Sequence, residues 1–220
     1  MTAAIVLAGG ASSRFGADKL AAELDGAPVL HHALRTVAAV AGEVVLVLAP
    51  GAPVPVLPSE LESRIVIARD AEPGGGPLAG VAAGLVALGA GLSATGAGLA
   101  GAAAELSPVG DHPPRTALVV GGDMPWLVPG VLRLMAERLE AAESLAGITL
   151  DASPQAPLPM ALRPAAAGPG ALACLAAGRR SLRALLDAIP ATTLPAAEWR
   201  ALDPGGETLR DIDTPGDLAR

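Results

Sequence analysis

Short, continuous runs of apolar residues alternate with longer amphipathic segments through most of the chain. The runs are residues 3–8, 43–49, 64–68 and 116–120. Each is too short for a buried helix and is rich in Val, Ile and Leu, which is typical of strands covered on both faces of a parallel sheet. We therefore expect four strands in the first 120 residues.

Helical patterns separate these strands. Residues 28–41 and 128–142 repeat apolar side chains at helical spacing, and a further helix is expected at about 78–88. Strands that alternate with helices in this way predict right-handed crossovers and a mostly parallel sheet with helices on both faces. The expected fold class is α/β, a Rossmann-like three-layer αβα arrangement.

The second half of the chain gives weaker patterns. Residues 148–150 and 158–163 are candidate strands, residues 181–189 a candidate helix, and residues 192–196 a candidate edge strand. We expect residues 1–220 to form a single domain, since this length suits one α/β unit.

An uncharged segment at residues 73–104 is long enough to cross a bilayer. It begins with three glycines and a proline, contains a glycine every few residues, and has few large apolar side chains. A helix followed by a flexible Ala/Gly-rich insertion at about 90–115 explains it better than a membrane span.

The amino-acid composition limits the kinds of ligand and partner that the protein could bind. Aromatic residues make up 1% of the chain and the net charge is −7, which argues against binding of nucleic acid. The single cysteine, Cys174, excludes an intramolecular disulfide and a multi-cysteine zinc site. We expect a cytoplasmic protein without a signal peptide or a membrane partner.

The loop from Leu7 to Lys19 (LAGGASSRFGADK) follows the first predicted strand. It fits neither the P-loop pattern nor the dinucleotide-binding pattern. Paired glycines allow main-chain amides to approach phosphate oxygens, and Arg14 and Lys19 add positive charge. A triphosphate cradle and an ordinary strand-to-helix turn both remain open on spacing alone.

Carboxylates follow the later strands, at the edge where ligands bind in such sheets. Asp70 precedes a glycine-rich segment, and its oxygens could accept a guanine edge or a ribose diol. Asp123, in Gly-Gly-Asp-Met-Pro, and the pair Asp211 and Asp213 could hold Mg²⁺, which prefers one or two carboxylates plus phosphates. Turn or cap roles are the alternatives for each carboxylate.

Five segments in order resemble the molybdenum cofactor guanylyltransferases and their relatives among the small nucleotidyltransferases. They are residues 7–19, Asp70, GPLAGVAAGL at 76–85, GDMP at 122–125 and DIDTPGDL at 211–218. The resemblance implies a Rossmann-like fold and an enzyme that joins GMP from Mg-GTP to molybdopterin and releases pyrophosphate.

The resemblance also implies roles for individual residues. The implied catalytic residues are Arg14, Lys19 and Asp123, and the implied magnesium ligands are Asp123 and Asp213. The implied nucleotide contacts are Leu7, Ala8, Gly9, Gly10, Ser12, Lys19, Asp70, Gly76, Pro77 and Gly80.

Sequence features point to two different bases, and no motif names the acceptor. The LAGG and GPLAG forms resemble guanine-selecting enzymes, whereas DIDTP resembles the cytidylyl branch. Leu48-Ala49-Pro50 also replaces the polar residue that the resemblance leads us to expect after the second strand. Cytidylyl or other nucleotidyl transfer, to molybdopterin or a sugar phosphate, is the alternative enzyme function. A non-catalytic nucleotide-binding protein is the second alternative. Arg163 is either a ligand for the acceptor phosphate or an exposed arginine at a strand end.

Overall fold

The computed structural model describes residues 1–9, 15, 18–70, 74–89 and 114–219. The strands are β1 (Thr2–Ala8), β2 (Glu23–Leu24), β3 (Ala27–Pro28), β4 (Glu43–Leu48), β5 (Ile65–Arg69), β6 (Thr116–Gly121), β7 (Gly147–Leu150), β8 (Met160–Leu162) and β9 (Ala191–Leu194). The α-helices are α1 (Val29–Ala38), α2 (Gly76–Ala87), α3 (Pro129–Ala141), α4 (Pro164–Ala176), α5 (Leu182–Leu186) and α6 (Ala196–Trp199). Short 3₁₀ turns lie at Glu62–Arg64, Glu207–Leu209 and Pro215–Ala219.

Seven of the described strands form one sheet in the order β5, β4, β1, β6, β8, β7, β9. All neighbours pair in parallel except those of β8, which runs antiparallel to β6 and β7. The predicted α/β class and mostly parallel sheet are therefore confirmed. The strand pattern did not predict the antiparallel direction of β8.

Alternate residues of β1 face opposite sides of the sheet. Val6 packs in the cluster that α1 and α3 cover, and Ile5 packs in the cluster that α2, α4 and α5 cover. Two buried apolar layers, one on each side of the sheet, produce the predicted three-layer arrangement. The central strands β1 and β4 contribute apolar residues to both clusters, which fits their continuous apolar runs.

The predicted helices and strands agree with the observed ones to within a few residues at each end. Helix α4 is an addition, because its alanine, glycine and proline residues (PAAAGPGALACLA) carry no apolar stripe. The hairpin β2–β3 is also an addition. Its turn residues Asp25 and Gly26 have φ angles of 50° and 80°, as a two-residue hairpin turn requires.

Among the residues that the structure describes, no helix is both long and apolar enough to cross a bilayer. Most of the predicted insertion at about 90–115 lies outside those residues.

Helix α2 lies unusually close to β1 because two of its glycines face that strand. A Cβ atom on Gly84 would lie 2.6 Å from Cγ2 of Ile5, and one on Gly80 would lie 3.2 Å from Cδ2 of Leu7. Ile5 is fully buried, so its side chain cannot move aside easily. This close contact holds the first turn of α2 beside the carboxyl end of β1.

Gly84→Ala should lower the free energy of unfolding by about 1–3 kcal/mol, because the added methyl group overpacks the α2–β1 contact. Gly130→Ala in α3 is the matched control, since its Cβ would meet its nearest neighbour, Cδ1 of Leu202, at 3.7 Å. Urea denaturation of both variants measures the difference. Equal stability of the two variants would contradict the close packing described here.

Candidate active site

A cleft of about 540 Å³ lies at the carboxyl ends of β1, β4, β5 and β6. Its lining residues are mostly glycine and small apolar residues, with Lys19, Asp70 and Asp123 as the charged ones. Main chain therefore forms much of its wall, which allows close approach by a ligand.

Nine predicted site residues line this cleft: Leu7, Ala8, Gly9, Lys19, Asp70, Gly76, Pro77, Gly80 and Asp123. Asp213 lies close to Lys19. Gly10, Ser12 and Arg14 lie outside the residues that the structure describes. The structure thus brings together four segments that are widely separated along the chain.

Lys19 lies at the centre of the charged groups. Its Nζ donates hydrogen bonds to Oδ2 of Asp123 at 2.6 Å and to the carbonyl oxygen of Ile212 at 3.0 Å. Oδ1 of Asp213 lies 3.5 Å from the same nitrogen. Three acceptors around one ammonium group match its three N–H donors, a geometry that a planar guanidinium would not fit.

The surroundings of this ammonium group change the pKa of two residues. Burial alone would lower the pKa of Lys19, but its hydrogen bond to Asp123 and the charges of Asp123 and Asp213 raise it above its ordinary value. Loss of solvation, followed by the charges of Asp213 and Asp123, raises the pKa of Asp211. Negative charge is therefore concentrated around one cation.

Local contacts fix the position of Asp123. A Cβ atom on Gly121 would lie 2.3 Å from Oδ1 of Asp123, so glycine is required to leave room for the carboxylate. The amide of Ile212 donates to the carbonyl oxygen of Asp123 at 2.9 Å. Ile212 itself is fully buried in a small cluster with Leu24 and Val29. This anchor brings Asp213 to the site.

The opposite wall of the cleft is apolar and follows β4. A Cβ atom on Gly9 would lie 3.2 Å from the amide nitrogen of Ala49, so the first loop packs directly on this wall. Nη1 of Arg69 donates to the carbonyl oxygens of Ala49 at 3.3 Å and Ala52 at 2.7 Å. Arg69 therefore holds the turn that carries Ala49 and Pro50, both of which line the cleft.

Asp70 lies beside the start of α2. Its amide donates to the carbonyl oxygen of Leu48 at 2.9 Å. Both carboxylate oxygens would lie 3.2 Å from a Cβ atom on Gly75, so the glycine lets the carboxylate and the turn lie side by side. Two neighbouring oxygens can accept two donors from one planar group.

The carboxylates fit one kind of metal site. Within the described ranges, no group of three or more His, Cys, Asp or Glu residues could hold a metal ion. Asp123 and Asp213, both near Lys19, form a two-carboxylate set. Such a set suits Mg²⁺ shared with substrate phosphates, because this ion keeps few protein ligands.

Arg163 is not placed as either sequence interpretation expected. Its guanidinium donates to the carbonyl oxygens of Leu139 at 2.8 Å, Leu145 at 3.1 Å and Ala142 at 3.4 Å. These carbonyls lie at and just beyond the end of α3, where helix carbonyls lack partners. Arg163 is therefore a helix-capping side chain.

Sequence reasoning missed several residues of the cleft. Leu20, Val47 and Leu158 line it, but buried apolar residues at such positions carry no distinctive pattern. The sequence carries one further signal at this site. Lys19 is the only lysine in the chain, among 15 residues of Lys and Arg, which singles out a position where a compact ammonium group is needed.

The family model described as the MobA-like NTP transferase domain matches residues 4–193. A protein of Chloroflexus aggregans named "Probable molybdenum cofactor guanylyltransferase" is 29% identical over 222 residues, covering 99% of this chain and 92% of the relative. Both comparisons span the cleft and the strands that form it.

Two solved structures share the fold. Molybdopterin-guanine dinucleotide biosynthesis protein A from Archaeoglobus fulgidus has a TM-score of 0.71 at 21% identity, covering 100% of this chain and 96% of its own. The 4-diphosphocytidyl-2C-methyl-D-erythritol synthase from Anaerococcus prevotii has a TM-score of 0.60 at 16% identity, covering 99% and 92%. At these identities the likeness concerns the fold.

Arg69→Met should weaken binding of the nucleoside triphosphate about threefold to tenfold, because the turn that carries Ala49 and Pro50 loses the side chain that holds it. Isothermal titration calorimetry measures the affinity. Arg64→Met is the matched control. Arg64 bonds the carbonyl oxygens of Ala38, Ala41 and Gly42, near the other end of β5, so its loss should reduce stability without changing affinity. Equal affinities of the two variants would contradict this role of Arg69.

Proposed function

The chain belongs to the family of MobA-like NTP transferase domains and is a nucleotidyltransferase, and from that premise we propose that it transfers GMP from GTP to molybdopterin with release of pyrophosphate. One observation carries the proposal. A single ammonium group, on Lys19, meets two carboxylates at the edge of a cleft walled by glycines. This arrangement supplies a phosphate-binding cation and a two-carboxylate site for Mg²⁺.

The triphosphate is proposed to lie along the loop after β1. Leu7, Ala8 and Gly9, with Gly10 and Ser12 beyond them, are the proposed nucleotide contacts, and Lys19 and Arg14 the proposed cations. The net charge of the protein is −7, so local cations and amides, rather than an overall positive field, must attract the anion.

The nucleoside is proposed to lie between Asp70 and the start of α2. Two adjacent carboxylate oxygens match the two donors at the N1 and N2 edge of guanine. Gly76, Pro77 and Gly80 line the same part of the cleft and leave room for a planar base. The name of the Chloroflexus aggregans relative supports GTP.

Cytidylyl transfer is the second candidate. The segment 211–215 (DIDTP) resembles the cytidylyl branch, and the fold is shared with a cytidylyl-type synthase. A non-catalytic nucleotide-binding role is disfavoured, because binding alone would not need carboxylates clustered around Lys19.

The proposed reaction is an in-line displacement at the α-phosphorus of GTP. A terminal phosphate oxygen of the acceptor forms the new bond to phosphorus. The bond from phosphorus to the bridging oxygen breaks, and pyrophosphate leaves with its electron pair. The attacking phosphate oxygen is already ionised, so the site needs no general base. Catalysis then depends on positioning and on neutralisation of charge.

Lys19 is proposed to supply charge neutralisation at the phosphates. Asp123 and Asp213 would hold Mg²⁺, which when bound neutralises charge that develops on the phosphate oxygens. Gly121 and Ile212 keep the two carboxylates in place. The elements around the site therefore position groups that act together on one triphosphate.

Release of pyrophosphate from each of the four nucleoside triphosphates, with and without molybdopterin, tests the proposal. We expect release from GTP that requires both molybdopterin and Mg²⁺. Release from CTP instead would favour the second candidate. Binding of GTP without release under any of these conditions would contradict transferase activity toward this acceptor.

In the same assay, Lys19→Ala should reduce turnover about 10²-fold to 10³-fold, comparable to the loss of one preorganised charge-stabilising group. Lys19→Arg keeps the charge but not the compact three-donor geometry, so it should restore little activity. Circular dichroism controls for folding. An unchanged rate in folded Lys19→Ala would contradict the phosphate role.

A further inference from the structure

The turn between α4 and α5, residues 178–181, lies against the glycines that line the cleft. The amide of Leu78 donates to the carbonyl oxygen of Arg180 at 3.2 Å. Nη1 of Arg180 donates to the carbonyl oxygen of Gly74 at 3.3 Å. One residue therefore contacts the chain on both sides of residues 75–77, all of which line the cleft.

The contact between Arg180 and the glycines is close. A Cβ atom on Gly76 would lie 2.9 Å from the carbonyl oxygen of Arg180 and 3.0 Å from its Cβ. Gly76 also has a φ angle of +74°, in the region that favours glycine. Because both chains pack at this distance, movement of Arg180 would move the wall of the cleft.

Neighbouring residues fix the position of Arg180. Gly178, at a φ angle of +72°, ends α4, and its amide donates to the carbonyl oxygen of Leu175 at 2.9 Å. Oγ of Ser181 accepts a hydrogen bond from the amide of Ala184 at 3.2 Å and caps the start of α5. The turn is thus held on both sides of Arg180.

We propose that Arg180 is a positioning residue for nucleotide binding. It holds residues 74–77 at the separation from Asp70 that the base requires. This inference rests on the proposed function in one respect, that the nucleoside half of the triphosphate occupies this part of the cleft. Arg180 is not among the residues that line the cleft, so it acts through the glycines rather than on the reacting atoms.

Separate substitutions of two adjacent arginines distinguish positioning of residues 74–77 from a general effect on the stability of this turn. Arg180→Ala removes the bond to Gly74, whereas Arg179→Ala is the matched control, since the described side-chain contact of Arg179 is to Sγ of Cys174 at 3.1 Å. We expect Arg180→Ala to raise the dissociation constant and the KM for the preferred triphosphate about threefold to tenfold, with kcat within about twofold. Arg179→Ala should change neither constant.

Two further measurements complete the test. Arg180→Lys keeps a donor at this position and should restore most of the affinity. In protein without nucleotide, amide hydrogen exchange in residues 74–80 should be faster in Arg180→Ala than in Arg179→Ala.

Equal affinities of the two alanine variants, or a lower kcat with unchanged KM in Arg180→Ala, would overturn the inference. If unaltered protein binds a triphosphate but transfers nothing, the proposed function fails while the inference about binding stands.

Discussion

The site depends on one ammonium group that neutralises two carboxylates from distant parts of the chain. Lys19 follows β1, Asp123 follows β6, and Asp213 belongs to the C-terminal segment. The sheet order places β1 beside β6, and this pairing allows Lys19 and Asp123 to meet. Asp213 is brought to the site by its neighbour Ile212, whose carbonyl oxygen also accepts a hydrogen bond from Lys19. Without Lys19 the two carboxylates would lie close together with no cation between them, an arrangement that their like charges make unfavourable.

Glycines and small apolar residues form most of the rest of the cleft. Glycines at Gly9, Gly75, Gly80 and Gly121 each face an atom that a Cβ would approach to 3.2 Å or less. Segments from different strands can therefore pack closely around a ligand. Arginines outside the cleft hold these segments by donating to carbonyl oxygens: Arg69 holds the turn after β4, and Arg180 holds the turn before α2. Glycines thus bring the segments of the cleft wall together, and arginines outside the cleft hold two of these segments.

Much of the fold was predictable from the sequence, and nine of the residues predicted for the site line one cleft. The four apolar runs of the first half needed burial on both faces, so their pattern determined strands and sheet class. Helix α4 was not predictable, since its alanine and glycine residues give no periodicity and Pro169 lies inside it. The capping role of Arg163 was not predictable either, because contacts from a side chain to distant carbonyls leave no spacing signal. The same holds for Arg69 and Arg180. The roles of all predicted site residues stay predictions, and Gly10, Ser12 and Arg14 lie outside the residues that the structure describes.

Protection of Lys19 from chemical modification tests most directly whether the triphosphate binds beside it. Lys19 is the only lysine, so an amine-selective acylating reagent has two targets, Lys19 and the α-amino group of Met1. Met1 is 61% exposed and serves as an internal reference. Mass spectrometry gives the acylation rate of each amine. At about ten times the dissociation constant, Mg-GTP should slow acylation of Lys19 about tenfold and leave that of Met1 unchanged. Equal rates for Lys19 with and without bound nucleotide would contradict the account.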